Sequence, residues 1–393
     1  MSAAAPIVTA ADWEAGGFGV YIHWPFCLAK CPYCDFNSHV AREIDHDAWA
    51  EALTAELRAM RARTGARRVE TLFFGGGTPS LMAPATVACL IEEVDRLWGL
   101  VSGAEITLEA NPTSVEALKF RAYAQAGVNR LSMGVQALND GDLKALGRTH
   151  SAAEARAAFD IARAAFDRVS FDLIYARVGQ TAADWEAELT AALALAVDHL
   201  SLYQLTVEPG TRFAELHDRG RLPVPGSEQA AVLYQLTQEI TEAAGLPSYE
   251  ISNHARPGAE SRHNRIYWRY GDYVGVGPGA HGRITRSCGT RVATETERDP
   301  ARWRMAVARR GDAVKLEESL SGVDQATEYL LMSMRLTEGA DLARVARLAG
   351  RPLPESRLRT LQADGVLTRD GDRIVATPGG RLVLNAVLAE LLA

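Results

Sequence analysis

Three cysteines within eight residues, Cys27, Cys31 and Cys34, are the side chains best suited to chemistry in this 393-residue chain. Thiolates bind soft metals and iron–sulfur clusters, and three in one short loop can wrap a single centre. A closed structural site usually takes four protein ligands, so three leave one coordination position for another molecule. The other cysteines, Cys89 and Cys288, stand alone in the sequence and form no second C-x2-C pair. The spacing therefore favours a cluster with an open position over a zinc knuckle or plain core thiols.

The cysteine loop follows an apolar run at residues 20–24, which predicts a buried strand that Pro25 ends. Five more strands, each preceded by a predicted helix, are expected at residues 69–74, 105–110, 130–136, 169–175 and 199–205. Strands that alternate with helices predict an α/β fold whose parallel sheet has right-handed crossovers.

Polar residues lie at or just beyond the end of each predicted strand. In parallel α/β folds, ligands bind outside the carboxyl ends of the strands. The cysteine loop, the glycine run 75–77, Glu109, Gln136, Asp172 and Gln204 all have such positions. This coincidence over six strands predicts one shared pocket.

The glycine run is not a P-loop, because the Lys-Ser/Thr pair is missing, but it lets a ligand approach the backbone closely. Thr78 adds a hydroxyl there, and Arg148 could pair with a carboxylate through two hydrogen bonds. Simpler interpretations stay open at this stage. The glycines could form a tight turn, Glu109 and Asp172 could cap strand ends, and Arg148 could be a surface residue.

The C-x3-C-x2-C loop, with Tyr33 before the last cysteine, resembles the radical S-adenosylmethionine (SAM) enzymes. In that superfamily three cysteines hold a four-iron four-sulfur cluster, and SAM chelates the open iron. The motifs at residues 21–34, 75–80, 109, 134–136, 148 and 172–175 are similar to the oxygen-independent coproporphyrinogen oxidase family, in the same order. The resemblance implies an α/β fold consisting of a partial (β/α)6 barrel with a small C-terminal helical, winged-helix-like domain. It also implies that Cys27, Cys31 and Cys34 hold the 4Fe-4S cluster and that Tyr21, Tyr33, Gly76, Gly77, Thr78, Glu109, Gln136, Arg148, Asp172 and Gln204 surround SAM.

Two departures separate the chain from the authentic oxidase and resemble the heme chaperone (HemW-type) branch of the family. Phe36 stands where the oxidase has a further cysteine, and only about 17 residues precede the first predicted strand. A third departure lies at Ala176-Arg177-Val178, where relatives usually have Gly-Leu-Pro. The missing Gly and Pro put the local fit around SAM in doubt.

Residues 263–268, His-Asn-Arg-Ile-Tyr-Trp, are similar to the HNxxYW heme motif of the chaperone branch. The resemblance implies that His263, Tyr267 and Trp268 bind heme, whose iron takes imidazole ligands and whose face stacks on aromatic rings. His281, in a glycine-rich loop, is a second candidate ligand. The alternative is a loop histidine with two aromatics that only pack the loop onto the sheet.

Composition limits the partners. The net charge of −7 without a basic tract disfavours nucleic acid, and no apolar stretch approaches the roughly 20 residues that span a bilayer. Few cysteines, three of them clustered, favour a reducing cytoplasm, with peripheral membrane association left open. The N-terminus has no signal-peptide pattern.

Four segments are expected along the chain: a flexible N-terminus at 1–17, the barrel core at 18–245, an extension with the HNxxYW motif at 246–321, and a C-terminal winged-helix-like domain at 322–393. Asp370-Gly371 between two β-prone runs predicts the hairpin of the last segment. Equal numbers of arginines and acidic residues in that segment favour a lid or docking surface over DNA binding.

Three functions stay open. The first is a heme chaperone that transfers heme to an unidentified acceptor protein, with exchangeable SAM and a flavodoxin-type electron donor. The second is a radical enzyme that abstracts hydrogen from the propionates of coproporphyrinogen III, and Phe36 counts against it. The third is a radical SAM enzyme with an unrelated substrate. No catalytic residue is assigned.

Overall fold

The computed structural model describes residues 11–393. The strands are β1 Phe18–Trp24, β2 Phe26–Cys27, β3 His39–Val40, β4 Val69–Gly76, β5 Leu100–Ala110, β6 Arg130–Gln136, β7 Arg168–Tyr175, β8 His199–Gln204, β9 Asn253–Ala255, β10 Asp272–Val276, β11 His281–Thr285, β12 Arg291–Thr296, β13 Val314–Ser319, β14 Ala340–Asp341, β15 Leu367–Asp370 and β16 Arg373–Ala376. The helices are α1 His46–Thr64, α2 Pro84–Trp98, α3 Ser114–Ala117, α4 Phe120–Gln125, α5 Asp140–Ala145, α6 Ala152–Ala165, α7 Ala182–Leu195, α8 Arg212–Asp218, α9 Ser227–Ala243, α10 Arg262–Trp268, α11 Pro300–Arg310, α12 Gly322–Ser333, α13 Leu342–Ala349, α14 Glu355–Ala363, α15 Pro378–Leu382 and α16 Leu384–Leu392. Within residues 11–393, no helix combines the length and the apolar character that a bilayer span requires.

One large sheet organises the molecule, in the strand order β13-β12-β11-β10-β1-β4-β5-β6-β7-β8-β9. The six predicted strands are β1 and β4 to β8, and they are consecutive parallel neighbours. The predicted α/β fold with a parallel sheet is therefore confirmed. β10 adds a seventh parallel strand beside β1, and β11 to β13 continue the sheet antiparallel. These added strands were not expected from the sequence.

Helix α1 shows how the sequence builds the outer layer. Asp45 caps its first turn by accepting a hydrogen bond from the Ala48 backbone N–H at 3.1 Å. Leu53, Leu57 and Met60 recur at helical spacing, are fully buried, and belong to the main hydrophobic core. Each buried leucine contributes roughly 1.5–3 kcal/mol. The helix expected before the strand at residues 69–74 is therefore observed as α1.

Side chains along β1 alternate between the hydrophobic core and the inside of the barrel. Val20, Ile22 and Trp24 are fully buried in the main hydrophobic core, which packs against the helices. Because successive side chains of a strand point to opposite faces, Tyr21 and His23 face the inside of the barrel. The side chains of β1 that pack against the helices are therefore apolar, whereas those that face the barrel interior can form hydrogen bonds.

The C-terminal segment has a hydrophobic cluster of its own, separate from the main core. Its predicted helices are observed as α12, α13 and α14, and the predicted hairpin is observed as β15 and β16 around Gly371, at φ 57°. An ion pair between Arg283 and Glu328, at 2.8 Å, joins this segment to the extension. The domain boundaries given above stay predictions.

The N-terminal segment is described only in part. Residues 1–10 of the segment expected to be flexible lie outside the described residues. Asp12–Ala15 form a 3-10 helix, and the Asp12 carboxylate pairs with Arg344 at 2.7 Å. Trp13 packs edge-on against Phe18. A distant arginine and a core aromatic thus contact residues 12–15, and the flexibility of residues 1–17 stays a prediction.

Candidate functional site

A cavity of about 150 Å³ lies where the carboxyl ends of β1 and β4 to β7 converge, and we name it the thiol cavity. It is lined by Cys27, Ala29, Lys30, Cys31, Tyr33, Cys34, Phe36, Ser38, Gly76, Gly77, Thr78, Pro79, Glu109, Ala110, Asn111, Ser132, Gly134, Gln136, Arg148 and Asp172. The structure thus brings together the three cysteines and every residue expected around SAM except Tyr21 and Gln204.

Gln204 lines a larger cavity of about 800 Å³, the mouth cavity, which lies next to the thiol cavity. The two cavities share Tyr33, Cys34, Phe36, Glu109, Gln136 and Asp172. A ligand that extends outward from the thiols would therefore meet Gln204. Tyr21 lines neither of them, and its hydroxyl pairs with Nδ1 of His23 at 3.1 Å. The structure does not bring Tyr21 to the thiol cavity.

The thiol loop is held at both of its ends. Strand β2 pairs with β3, so Phe26–Cys27 and His39–Val40 clamp the loop between them. Asn37 fixes the loop to the extension by donating to the Pro278 carbonyl at 2.9 Å. The backbone carbonyl of Asn37 lies 2.9 Å from Nε2 of His23. These contacts position the thiols.

A chain of hydrogen bonds links two of the thiols. Thr78 Oγ1 donates to Cys27 Sγ at 3.3 Å, and Arg148 Nη1 donates to Cys31 Sγ at 3.3 Å. Asn111 joins them, since its Nδ2 donates to Thr78 at 3.2 Å and its Oδ1 accepts from Arg148 at 2.5 Å. Hydrogen bonds to ligand sulfur tune a metal centre. Sequence reasoning missed Asn111, although it directly follows β5 and meets the same strand-end rule as its neighbours.

Arg148 has a different role from the one expected. Its Nη2 donates to Asn111 and, at 2.8 Å, to the Gly134 carbonyl, while its Nη1 contacts Cys31. These bonds engage both terminal nitrogens within the protein. Its buried Nε has no partner, so one donor remains for a ligand. Arg148 therefore holds the thiol loop in place, and its two terminal nitrogens are not both free to bind a carboxylate.

The residues present fit an iron–sulfur cluster. Burial raises the pKa of the thiols of Cys27 and Cys34, and a coordinated thiol loses its proton to the metal. Among residues 11–393, no three His, Cys, Asp or Glu side chains converge closely enough for a single metal ion. The three thiols instead share the wall of one cavity, as a multi-iron centre with thiolate ligands requires.

Two acidic side chains, Glu109 and Asp172, line the thiol cavity. Burial, reinforced by the charge of Asp172, raises the pKa of Glu109 to about 8. Burial also raises the pKa of Asp172 to about 6, although a hydrogen bond with Ser201 opposes the shift. Like carboxylates in an enclosed site favour a cationic ligand. SAM carries a sulfonium and an ammonium group, so this pair fits it.

The glycines of the cavity floor are required by close packing. A Cβ at Gly76, whose φ is 112°, would lie 2.6 Å from the His23 ring, and a Cβ at Gly77 would lie 2.7 Å from the Phe26 carbonyl oxygen. Across the cavity, Gln136 has a φ of 74° at a register shift between β6 and β7. A non-glycine residue in this region stores roughly 1–3 kcal/mol and is common at ligand sites.

The unusual segment after β7 points away from both cavities. Ala176 has a φ of 57°, where glycine is the easiest residue. Arg177 is buried, donates to the Ile174 carbonyl at 2.5 Å, and pairs with Glu188 at 2.5 Å. Neither residue lines the thiol or the mouth cavity. An internal ion pair therefore accommodates the departure that put the SAM fit in doubt.

A third cavity, of about 350 Å³, lies between the inner face of β1, β10 and β11 and the helices α10 and α12, and we name it the aromatic cavity. It is lined by Tyr21, His23, Tyr267, Trp268, Tyr270, Gly271, Tyr273, Gly279, His281, Arg283, Glu328 and Met332. Two residues expected to bind heme, Tyr267 and Trp268, are among them, as is the second candidate ligand, His281.

His263 does not face this cavity. It is 1% exposed, and its Nδ1 and Nε2 lie 2.7 Å from the hydroxyls of Thr71 and Tyr267, respectively. Burial lowers its pKa to about 3, so the ring is neutral. The motif spacing explains this placement, because residues four apart share one face of α10 and the ring stacks on Phe73. In this conformation both ring nitrogens contact hydroxyls, which counts against His263 as an iron ligand, and its role in heme binding stays a prediction.

Comparisons with known proteins agree with this geometry. The family model of the Radical SAM superfamily matches residues 21–191, and that of the HemN C-terminal domain matches residues 320–383. The chain is 38% identical to the heme chaperone HemW of Escherichia coli, over 95% of this chain and 98% of that protein. It is 39% identical to the mitochondrial radical S-adenosyl methionine domain-containing protein 1 of Bos taurus, over 95% and 87%.

A solved structure shares the fold. The coproporphyrinogen III oxidase HemN of Escherichia coli, a radical SAM enzyme, superposes with a TM-score of 0.80 over 95% of this chain and 90% of that chain. Its sequence identity is 23%, so this likeness concerns the fold alone.

Proposed function

Because the chain belongs to the coproporphyrinogen oxidase-like family of radical SAM proteins, in its heme chaperone branch, we propose that it binds heme and transfers it to an acceptor protein. The observation that carries the proposal is the similarity to heme chaperones over nearly the whole of both chains. The aromatic cavity supports it, since it offers a flat apolar ring several aromatic faces.

The thiol cavity would hold the family's cofactors. Cys27, Cys31 and Cys34 would hold the 4Fe-4S cluster, and SAM would occupy its open position. Together these groups supply one-electron chemistry when bound. Glu109 and Asp172 would hold the cationic groups of SAM.

Other residues would shape the same site. Tyr33, Gly76, Gly77, Thr78 and Gln136 would contact SAM from the walls of the thiol cavity. Gln204 would do so from the mouth cavity. Arg148 would keep Cys31 in place through its hydrogen bond to the sulfur. Tyr21 would act from the side of the aromatic cavity, where it stacks on Phe73.

Heme would bind apart from these cofactors. Tyr267 and Trp268 would stack on the porphyrin, and His263 would hold the Tyr267 hydroxyl from inside the barrel. The two ligands would thus occupy separate cavities on one rigid sheet. A flavodoxin-type electron donor, the heme acceptor and a cytoplasmic location stay predictions.

One observation favours a second function, the oxidation of coproporphyrinogen III. The mouth cavity adjoins the thiols, and Arg335 and Arg381 on its wall could pair with carboxylates. Phe36 counts against this function, because it lines the mouth cavity where the oxidase has a cysteine.

Anaerobic assays of the reconstituted protein would separate the two functions. The protein would be incubated with SAM, reductant and coproporphyrinogen III, and separately titrated with hemin, with an authentic oxidase as the positive control. We expect stoichiometric heme binding and no porphyrinogen conversion above the level without protein. Conversion at a rate close to that of the oxidase control would contradict the chaperone proposal.

A further inference from the structure

We infer that His281, and not the histidine of the HNxxYW motif, supplies the axial ligand to heme iron in the aromatic cavity. The inference rests on the proposed function and adds the ligand that the motif itself does not provide. It depends on three features: the walls of the cavity, the position of His281, and the engagement of the other nearby histidines.

The walls of the aromatic cavity are fixed by contacts within the protein. The rings of Tyr267 and Tyr273 lie 4.5 Å apart at 80°, and Tyr267 is anchored by its hydroxyl to His263 at 2.7 Å. The guanidinium of Arg335 lies 4.7 Å from the centre of the Trp268 ring. Aromatic groups held in this way offer contact area to a flat ring with little loss of side-chain entropy.

His281 stands at the rim of these walls. It is the first residue of β11 and is exposed to solvent. Because side chains alternate along a strand, His281 and Arg283 share one face, and Arg283 pairs in register with Tyr273 of β10. The imidazole therefore lies on the face that the aromatic residues line.

The turn before His281 is fixed as well. Gly277 and Gly279 both have positive φ values, and Gly275 approaches the His281 backbone so closely that a Cβ would lie 1.9 Å from its carbonyl oxygen. Only glycine fits such an approach. The backbone that carries the imidazole is thus held in one place.

The other histidines of this region are engaged elsewhere. Both nitrogens of His263 contact hydroxyls inside the barrel. His23 also lines the cavity, but its Nδ1 contacts the Tyr21 hydroxyl at 3.1 Å and its Nε2 contacts the Asn37 carbonyl at 2.9 Å. Using either as an iron ligand would break at least one of these hydrogen bonds, at a cost of roughly 1–3 kcal/mol for a buried group left unpaired.

A second side chain that could hold the iron lines the same cavity. Met332 reaches it from α12, and its thioether is a known partner of imidazole in heme proteins. The sheet and the helix would thus each contribute one residue able to hold heme iron.

Hemin titration of four proteins tests the inference by the position of the Soret band and by affinity. The proteins are the wild type, His281→Ala, His263→Gln and the surface control His217→Ala, each checked for folding by circular dichroism. We expect His281→Ala to lose the imidazole-ligated Soret band and to bind at least about tenfold more weakly. Free imidazole should restore the band. His263→Gln should keep the band position with weaker binding, and His217→Ala should match the wild type.

Two outcomes would overturn the inference. One is a His281→Ala spectrum that matches the wild type. The other is loss of the band in His263→Gln together with retention in His281→Ala. A wild type that binds no hemin at all is a different result, because it contradicts the proposed function itself. If His263→Gln does not fold, Tyr267→Phe replaces it, since this change also loosens the wall without removing an iron ligand.

Discussion

The thiol cavity and the aromatic cavity lie against the same sheet but differ in how their polar groups are paired. In the thiol cavity, burial raises the pKa values of Glu109 and Asp172, and Arg148 keeps a buried nitrogen without a partner. In the aromatic cavity, two polar residues of the wall are already paired: Tyr267 with the buried His263, and Arg283 with Glu328. The thiol cavity therefore has polar groups that a charged ligand could pair with. The aromatic cavity instead offers mainly apolar contact area to a flat ring.

The largest expected effect is loss of the cluster from the thiol cavity without loss of heme binding. Cys31→Ser should abolish the cluster, because two thiols cannot replace three and a hydroxyl is a poor ligand for iron–sulfur clusters. Iron and sulfide assays after anaerobic reconstitution should fall to background. Cys89→Ala and Cys288→Ala, at exposed positions, should match the wild type. Heme binding by the Cys31 variant should persist, and its loss would show that the cavities are not independent.

The next effect concerns the acidic pair. Glu109→Gln should weaken SAM binding by about tenfold or more, because a buried charge partner is lost. Isothermal titration of the reconstituted protein measures this, with exposed Glu239→Gln as the matched control. Equal SAM affinity in wild type and variant would remove Glu109 from the site.

The same variant should change the pH dependence of stability without ligand. The folded pKa of Glu109, about 8, exceeds its unfolded value of about 4.5, so the native state binds the proton more tightly. Stability from this group is complete below pH 4.5 and falls as pH rises towards 8. Urea unfolding of Glu109→Gln should show a flatter profile over this range, and an unchanged profile would contradict the assignment.

A smaller effect tests the paired aromatic wall. Tyr267→Phe removes the hydroxyl that contacts Nε2 of His263 and leaves that nitrogen buried without its partner. The free energy of unfolding should fall by about 1–3 kcal/mol. Urea denaturation measures it, with Tyr203→Phe, 42% exposed, as the control. A loss no larger than that of the control would show that the pair does not hold the wall.

The smallest effect lies outside both cavities. Ala176→Gly should change stability by less than about 1 kcal/mol, since relief of a left-handed backbone offsets lost chain stiffness and a lost buried methyl. Ala158→Gly, inside helix α6, has no left-handed backbone strain to relieve and should cost more. Thermal unfolding compares the two. A change in SAM affinity would show that this segment reaches the site after all.

The strand-end rule explains why the thiol cavity could be predicted. Glu109, Gln136 and Asp172 follow predicted strands, and parallel strands bring their carboxyl ends to one edge. The rule also applies to Asn111, whose bridging role was missed because only the structure shows the bonds to Thr78 and Arg148.

The aromatic cavity could not be predicted in the same way. The motif names His263, Tyr267 and Trp268, but which face of α10 is buried depends on where the helix packs. β10 to β13 also escaped prediction, because they are short runs separated by turns. His281 was a candidate only through its glycine-rich loop, and its place beside Tyr273 depends on strand register.

Directed heme transfer is the most direct test of the central claim. Heme-loaded protein, freed of unbound heme, would be mixed with membranes from heme-depleted cells and, separately, with apomyoglobin as a passive sink. Passive release gives a rate independent of acceptor concentration, whereas a transfer complex gives a rate that rises with it. We expect the rate to rise with membrane concentration and to exceed the rate to apomyoglobin. Equal rates to both acceptors, independent of concentration, would contradict a chaperone.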